Sequence, residues 1–242
     1  SEINEVTNEN IIDAVSFVES LAVVSKNTPY EEFRLASAAC LSGRMIEDQI
    51  RDRYEKIHNF LYLYPALNDF LVNQFEQAYK RILEKSKEHW PGHFDVQLSK
   101  THQLLSPSDF GFHNAFQTRD GLKFIDFEYF GWDDPVKLTC DFILHPGMDL
   151  SDEQKKLWLC SIKDIFIADR SFKQRFVRSY SLYGLCWCLI QLNIFNIDEQ
   201  KKKHIKTAKN HDFEKKQAQQ LKKSKKLLNH LNEVHKYGLP QE

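Results

Sequence analysis

Signals for β-structure are confined to one stretch of this chain, residues 93–132, and the sequence on either side repeats with a helical period. That confinement limits the chain to a mainly α, α+β design in which a few clustered strands interrupt a helical body. Residues 8–26 carry Ile11, Ile12, Val15, Val18, Leu21 and Ala22 at helical spacing, and Asn27, Thr28 and Pro29 end the run. Residues 31–57 read as one long helix with Phe33, Ala36, Cys40, Met45, Ile46 and Ile50 near one face. A third helix is expected over 66–89 after Pro65, stopped by Trp90, Pro91 and Gly92. Beyond the strand region, helices are expected over 135–144, 152–167 and 170–196; Ser151 and Gln154 form a capping box for the second of these. No internal repeat is visible.

The strand region also carries the chemistry. Its segment 106–135 reads SPSDFGFHNAFQTRDGLKFIDFEYFGWDDP. Asp109 and Asn114 stand in a D-x-x-x-x-N pattern, and Asp126 and Glu128 follow an apolar run in I-D-F-E. Residues 114–117 and 122–125 are expected to pair as a hairpin, with Asp120 and Gly121 in the turn. Such a hairpin brings Asn114 and Asp126 to one mouth, and a strand continuing past Asp126 would turn Glu128 to the same side. Phosphoryl transfer needs a carboxylate at the attacking hydroxyl and oxygen ligands for a hard cation. Asp109 suits the first role, as a base, and Asn114 and Asp126 the second. Each residue also has a plainer reading. Asp109 fits a helix N-cap or Asx turn, Asn114 a strand-entry turn, Glu128 a solvated strand position, and His113 an exposed loop histidine. Asp126 resists a plain reading, because an unpaired carboxylate buried in an apolar run is costly. Asp133 and Asp134 read as turn and capping residues ahead of Pro135 at a helix start.

Residues 105–146 resemble the C-terminal lobe of the aminoglycoside phosphotransferase and choline kinase-like family, relatives of protein kinases. On that resemblance Asp109 is the catalytic-loop aspartate, Asn114 and Asp126 are the metal-binding pair, and Glu128 is a possible second metal ligand or support. The segment Gly131, Trp132, Asp133, Asp134, Pro135 followed by Asp141 resembles the family's next motif, in which the later aspartate braces the catalytic loop. Pro107 stands where the family usually has a histidine. The resemblance implies a single domain over 1–242. Its parts would be N-terminal helices (1–92), a catalytic and metal-binding loop region (93–134), a helical substrate-side region (135–197) and a basic C-terminal helix (198–242). It implies Mg2+ and ATP or GTP as cofactors, and a small hydroxyl compound (a sugar, amino alcohol or aminoglycoside) as acceptor. In such kinases an N-terminal β-lobe covers the phosphates and supplies a lysine. Here residues 1–92 read as helices without G-x-G-x-x-G, so the N-terminal β-lobe is expected to be absent. Because the first residue is Ser1, a domain of a longer enzyme is the expected explanation, with the lobe elsewhere in that chain or on another chain.

Composition excludes several classes. The net charge is −1, and the five cysteines include no C-x-x-C, so neither a disulfide framework nor a zinc-ribbon pattern is present. Buried reduced thiols and a cytoplasmic setting are expected. The longest apolar run, 183–195, is broken by Gln191 and Asn193 and is too short to span a bilayer. Residues 198–236 hold 12 lysines against five acidic residues, leaving the remainder acidic. A solvated helix packed on the acidic body explains this. The alternative function is an inactive, pseudokinase-like scaffold whose basic C-terminal helix engages an anionic partner; nucleic acid is not the expected partner.

Overall fold

The computed structural model describes residues 5–119, 121–196 and 211–239. They are mainly helical, with two small antiparallel sheets, and fall into two compact units. One unit comprises Ser1–Met45 and Trp90–Val177, the other Ile46–His89 and Arg178–Glu242.

The first unit holds every strand among the described residues. Helix α1 (Asn8–Asn27) opens with a capping box between Thr7 and Asn10 and buries Ile11, Ala14, Val18 and Leu21. Strand β1 (Leu104–Ser106) pairs with β4 (Gly131–Asp133), with Leu105 opposite Trp132. Strands β2 (Ala115–Thr118) and β3 (Gly121–Phe124) form the hairpin, with Ala115 opposite Phe124. Asp120, assigned to its turn, lies outside the described residues. Helix α1 grips this hairpin: Leu122 N–H donates to Asp13 Oδ2 at 3.2 Å, and Asn10 Nδ2 donates to Gln117 Oε1 at 3.1 Å. Helices α5 (Pro135–Leu144) and α6 (Asp152–Ile165) complete the unit, and the expected Ser151–Gln154 capping box is present. Its core is aromatic. Phe142 stacks on Trp158 at 3.8 Å, and Phe110 lies 5.5 Å from Phe142 and 5.4 Å from Phe17.

Residues 31–57 do not form one helix. A short 3-10 turn (Tyr30–Glu32) gives way to an extended segment, and α2 begins only at Gly43, running to His58. Strand β4 wins the competition for this backbone. Trp132 N–H donates to Arg34 O and Ala36 N–H to Trp132 O, both at 3.0 Å, and Ser37 N–H donates to Tyr129 O. Apolar spacing alone does not reveal that edge pairing. Gly131 makes the approach possible, since a Cβ there would sit 2.4 Å from Arg34 O.

In the second unit the helix expected over 66–89 is interrupted. Segments α3 (Pro65–Phe70) and α4 (Glu76–Glu88) flank a π-helical turn (Leu71–Phe75), which keeps Phe70, Leu71 and Phe75 all buried. Helix α7 (Phe172–Gln191), whose residues up to Val177 belong to the first unit, continues as a 3-10 turn to Phe195. Helix α8 (His211–Tyr237) packs through Gln217, Ser224, Leu228, Leu231 and Val234; Ser224 Oγ donates to Cys188 O at 3.1 Å. The rest of the basic segment, 198–210 and 240–242, lies outside the described residues. No disulfide joins any of the five cysteines. Four are buried as expected, but Cys160 is exposed on α6. Among the described residues, no helix is long and apolar enough to cross a membrane.

Candidate active site

The loop between β1 and β2 is anchored on both sides of Asp109. Phe110 and Phe112 plug into the aromatic core at 4% and 6% exposure. Ser108 holds a left-handed backbone (φ 68°), and its hydroxyl donates to Ser37 O at 2.8 Å. Asp109 is thus the exposed residue between two fixed neighbours. His113, four residues on, donates Nε2–H to Asp109 Oδ1 at 3.0 Å. Asn114 Nδ2 donates to Asp109 O at 3.0 Å, which turns the amide oxygen of Asn114 away from the loop carbonyl.

The hairpin register sets the next relation. Ile125 N–H donates to Asn114 O at 2.9 Å, so the chain is still tied to Asn114 one residue before Asp126. Asp126 then takes a left-handed backbone, φ 64°. Aspartate tolerates this region better than most residues, but it is a strained choice of the kind that gathers at functional sites. Two sequence expectations fail at this point. Asp126 is exposed, because the hairpin carries it out of the apolar run. The strand ends at Phe124, and residues 125–130 form an irregular loop with a turn at Glu128 and Tyr129, so strand alternation no longer ties the direction of Glu128 to that of Asp126; Glu128 too is exposed.

Sequence reasoning passed over His145 and undervalued His113. His145 sits at the C-terminal end of α5, and its ring stacks on His113 at 4.0 Å and 9° between planes. Gly147 N–H donates to His145 Nδ1 at 3.1 Å, which assigns the proton of the neutral ring to Nε2. The His113 hydrogen bond holds the Asp109 carboxyl below its ordinary range, against a burial effect of opposite sign. Burial first, and then the neighbouring His113, push His145 down to about 4. An ionised Asp109 carboxylate therefore stands beside a neutral His145 imidazole. The i, i+4 spacing of Asp109 and His113 was readable in the sequence; the approach of His145, 32 positions further on, was not.

Downstream, the acidic residues do structural work. Asp134 caps α5, accepting from Val136 N–H at 2.8 Å, and takes Arg175 through two hydrogen bonds of 3.0 Å. Arg175 Nη1 also reaches Asp169 Oδ2 at 2.8 Å. Asp133 Oδ1 accepts from Cys40 N–H at 2.9 Å and Asp134 N–H at 2.8 Å. Lys137 Nζ stands 3.0 Å from Asp141 Oδ2 and 3.5 Å from Asp133 Oδ2, the second an ion pair without a hydrogen bond. Burial raises Asp133 to about 6 against the pull of Lys137; the Asp141 and Asp133 carboxylates keep Lys137 protonated despite its own burial. The backbone carbonyl of Asp141 accepts His145 N–H at 2.9 Å in the last turn of α5.

A cavity of about 430 Å³ lies elsewhere in the same unit, lined by Lys26, Tyr30, Lys100, Trp132, Phe166 and Asp169 among others; none of the candidate catalytic residues borders it. No family model matches the chain, and no curated protein matches it. A crystal structure of a choline/ethanolamine kinase family protein from Mesorhizobium loti is similar at a TM-score of 0.40 and 14% identity, covering 96% of this chain and 84% of that one.

Proposed function

We propose that this chain carries the catalytic and metal-binding residues of a small-molecule phosphotransferase, moving the γ-phosphoryl group of ATP or GTP to a hydroxyl. The observation that supports the reading is the pair of hydrogen bonds at Asn114, whose Nδ2 donates to Asp109 O and whose carbonyl accepts from Ile125 N–H, one residue before Asp126. Asn114 and Asp126 offer oxygen donors that fit Mg2+, a hard cation that binds few protein carboxylates and keeps several waters. Bound there, the ion would neutralise phosphate charge. Asp109 orients the acceptor hydroxyl and takes its proton, and His113 fixes the rotamer in which it does so. Asp141, through Lys137 and the His145 backbone, supports the helix end behind the loop.

The test is phosphoryl transfer from radiolabelled ATP and GTP to a panel of sugars, amino alcohols and aminoglycosides, using the protein together with whatever lobe covers its phosphates. Asp109→Ala should lower turnover by about 10²–10⁴-fold. Unchanged turnover would remove the assignment. Asp126→Asn should shift the magnesium titration to higher concentration.

A second reading, an inactive scaffold, draws on one observation. Helix α8 turns Lys215, Lys216, Lys222, Lys223 and Lys226 to solvent, opposite its buried face. An anionic partner held there would dissociate steeply with salt; binding indifferent to salt would argue against this use of the helix.

A further inference from the structure

The proposed magnesium site draws on oxygen donors, and the two histidines beside Asp109 are not among them. We propose that Asp109, His113 and His145 form a second metal site, for a borderline transition-metal dication such as Zn2+. Their ligand atoms all lie within 4.8 Å of one another. Asp109 Oδ1 and His113 Nε2, 3.0 Å apart in their hydrogen bond, need open only to about 3.4 Å to stand as neighbouring ligands of a tetrahedral cation with bonds of about 2.1 Å. His145 is the third ligand; its ring now lies parallel to that of His113 with centroids 4.0 Å apart, so one ring must tilt to bring both nitrogen lone pairs onto one ion.

The parts that must move are the ones free to do so. Asp109 and His113 are exposed loop side chains, while His145 is anchored at a helix end. His145 presently spends Nδ1 on Gly147 N–H. Binding through Nδ1 displaces that donor; binding through Nε2 puts the ring proton on Nδ1 and pushes the same donor away. Either change is absorbed by Pro146 and Gly147, both exposed. Three protein ligands with an open position is the arrangement of accessible zinc sites.

Donor chemistry separates the two sites. Imidazole suits Zn2+, Co2+ and Ni2+, whereas Mg2+ seeks oxygen. On the phosphotransferase reading Asp109 is the proton acceptor, so Zn2+ bound to it would block that role and oppose Mg2+-dependent turnover. That consequence rests on the proposed function; the metal site itself does not.

The experiment titrates the chelator-stripped protein with Zn2+ against a chromophoric competitor, and with Co2+ by visible absorption. One equivalent should bind. His113→Ala and His145→Ala should each weaken Zn2+ by about tenfold or more, and His89→Ala, an exposed histidine elsewhere, should not. Circular dichroism confirms that each variant is folded; His113→Ala, being exposed, is the safer of the pair. Equal Zn2+ affinity in wild type and His113→Ala overturns the site. Binding of Zn2+ lost in the variants, with no phosphoryl transfer in any condition, keeps the metal site and removes the phosphotransferase reading. Phosphoryl transfer without specific Zn2+ binding does the reverse.

Discussion

Aspartates do opposite work in the two halves of the segment 106–141. At the mouth, Asp109 and Asp126 are exposed, Asp126 sits in a left-handed backbone, and the partner of Asp109 is a histidine that can let go. At the base, Asp133 and Asp134 are at most 5% exposed, their oxygens accepting backbone N–H groups and facing Lys137 and Arg175. A carboxylate buried with fixed donors holds backbone in place, and its removal strands a charge. A carboxylate left in solvent on an anchored loop can bind and exchange protons or cations. The contrast teaches that residue type marks the segment, while burial assigns the role.

Substitutions can break this contrast. The largest effect belongs to the mouth: Asp109→Ala should lower turnover by about 10²–10⁴-fold while leaving the denaturant midpoint nearly unchanged. A large loss of stability in that variant would mean Asp109 belongs with the base. Next comes Arg175→Met, which leaves Asp134 and Asp169 buried without their counter-charge; unfolding free energy should fall by about 3–5 kcal/mol in urea titrations. A cost below about 1 kcal/mol would show those carboxylates to be better solvated than their burial implies.

The third effect is on pH dependence, measured in metal-free buffer. His145 has its folded value pushed down to about 4, below its usual 6.5. Between those values the unfolded chain binds the proton and the folded one does not, so stability should fall as pH drops from about 6.5 to about 4. His145→Gln should flatten that part of the profile; an unchanged slope would mean His145 is as solvated as a free histidine. The smallest effect is at Asp126. Asp126→Gly relieves the left-handed backbone, so stability should hold or rise by no more than about 1 kcal/mol, even as magnesium dependence is lost. Clear destabilisation would show that the carboxylate holds the turn together.

Several of these relations were legible in the amino-acid order. The Ser151 capping box, the start of α5 at Pro135 and the β2–β3 hairpin follow from local rules of capping, proline geometry and turn formation, which act over a few residues. Residues 31–42 were misread because apolar spacing there fits a helix, while the deciding hydrogen bonds come from Tyr129, Trp132 and Asp133, about 90 positions away. Asp126 was misjudged for a related reason: an apolar run signals burial only if the strand stays in the core, and this hairpin leaves it.

Sequence alone determined the mainly helical body, the clustering of strands and the candidates Asp109, Asn114 and Asp126, because each depends on near neighbours. Tertiary structure decided that His145 meets His113, that Asp134 and Asp169 share Arg175, and that Gly131 admits a third segment beside β4. Those contacts join residues far apart in the chain, so no local rule of capping, turn or periodicity places them.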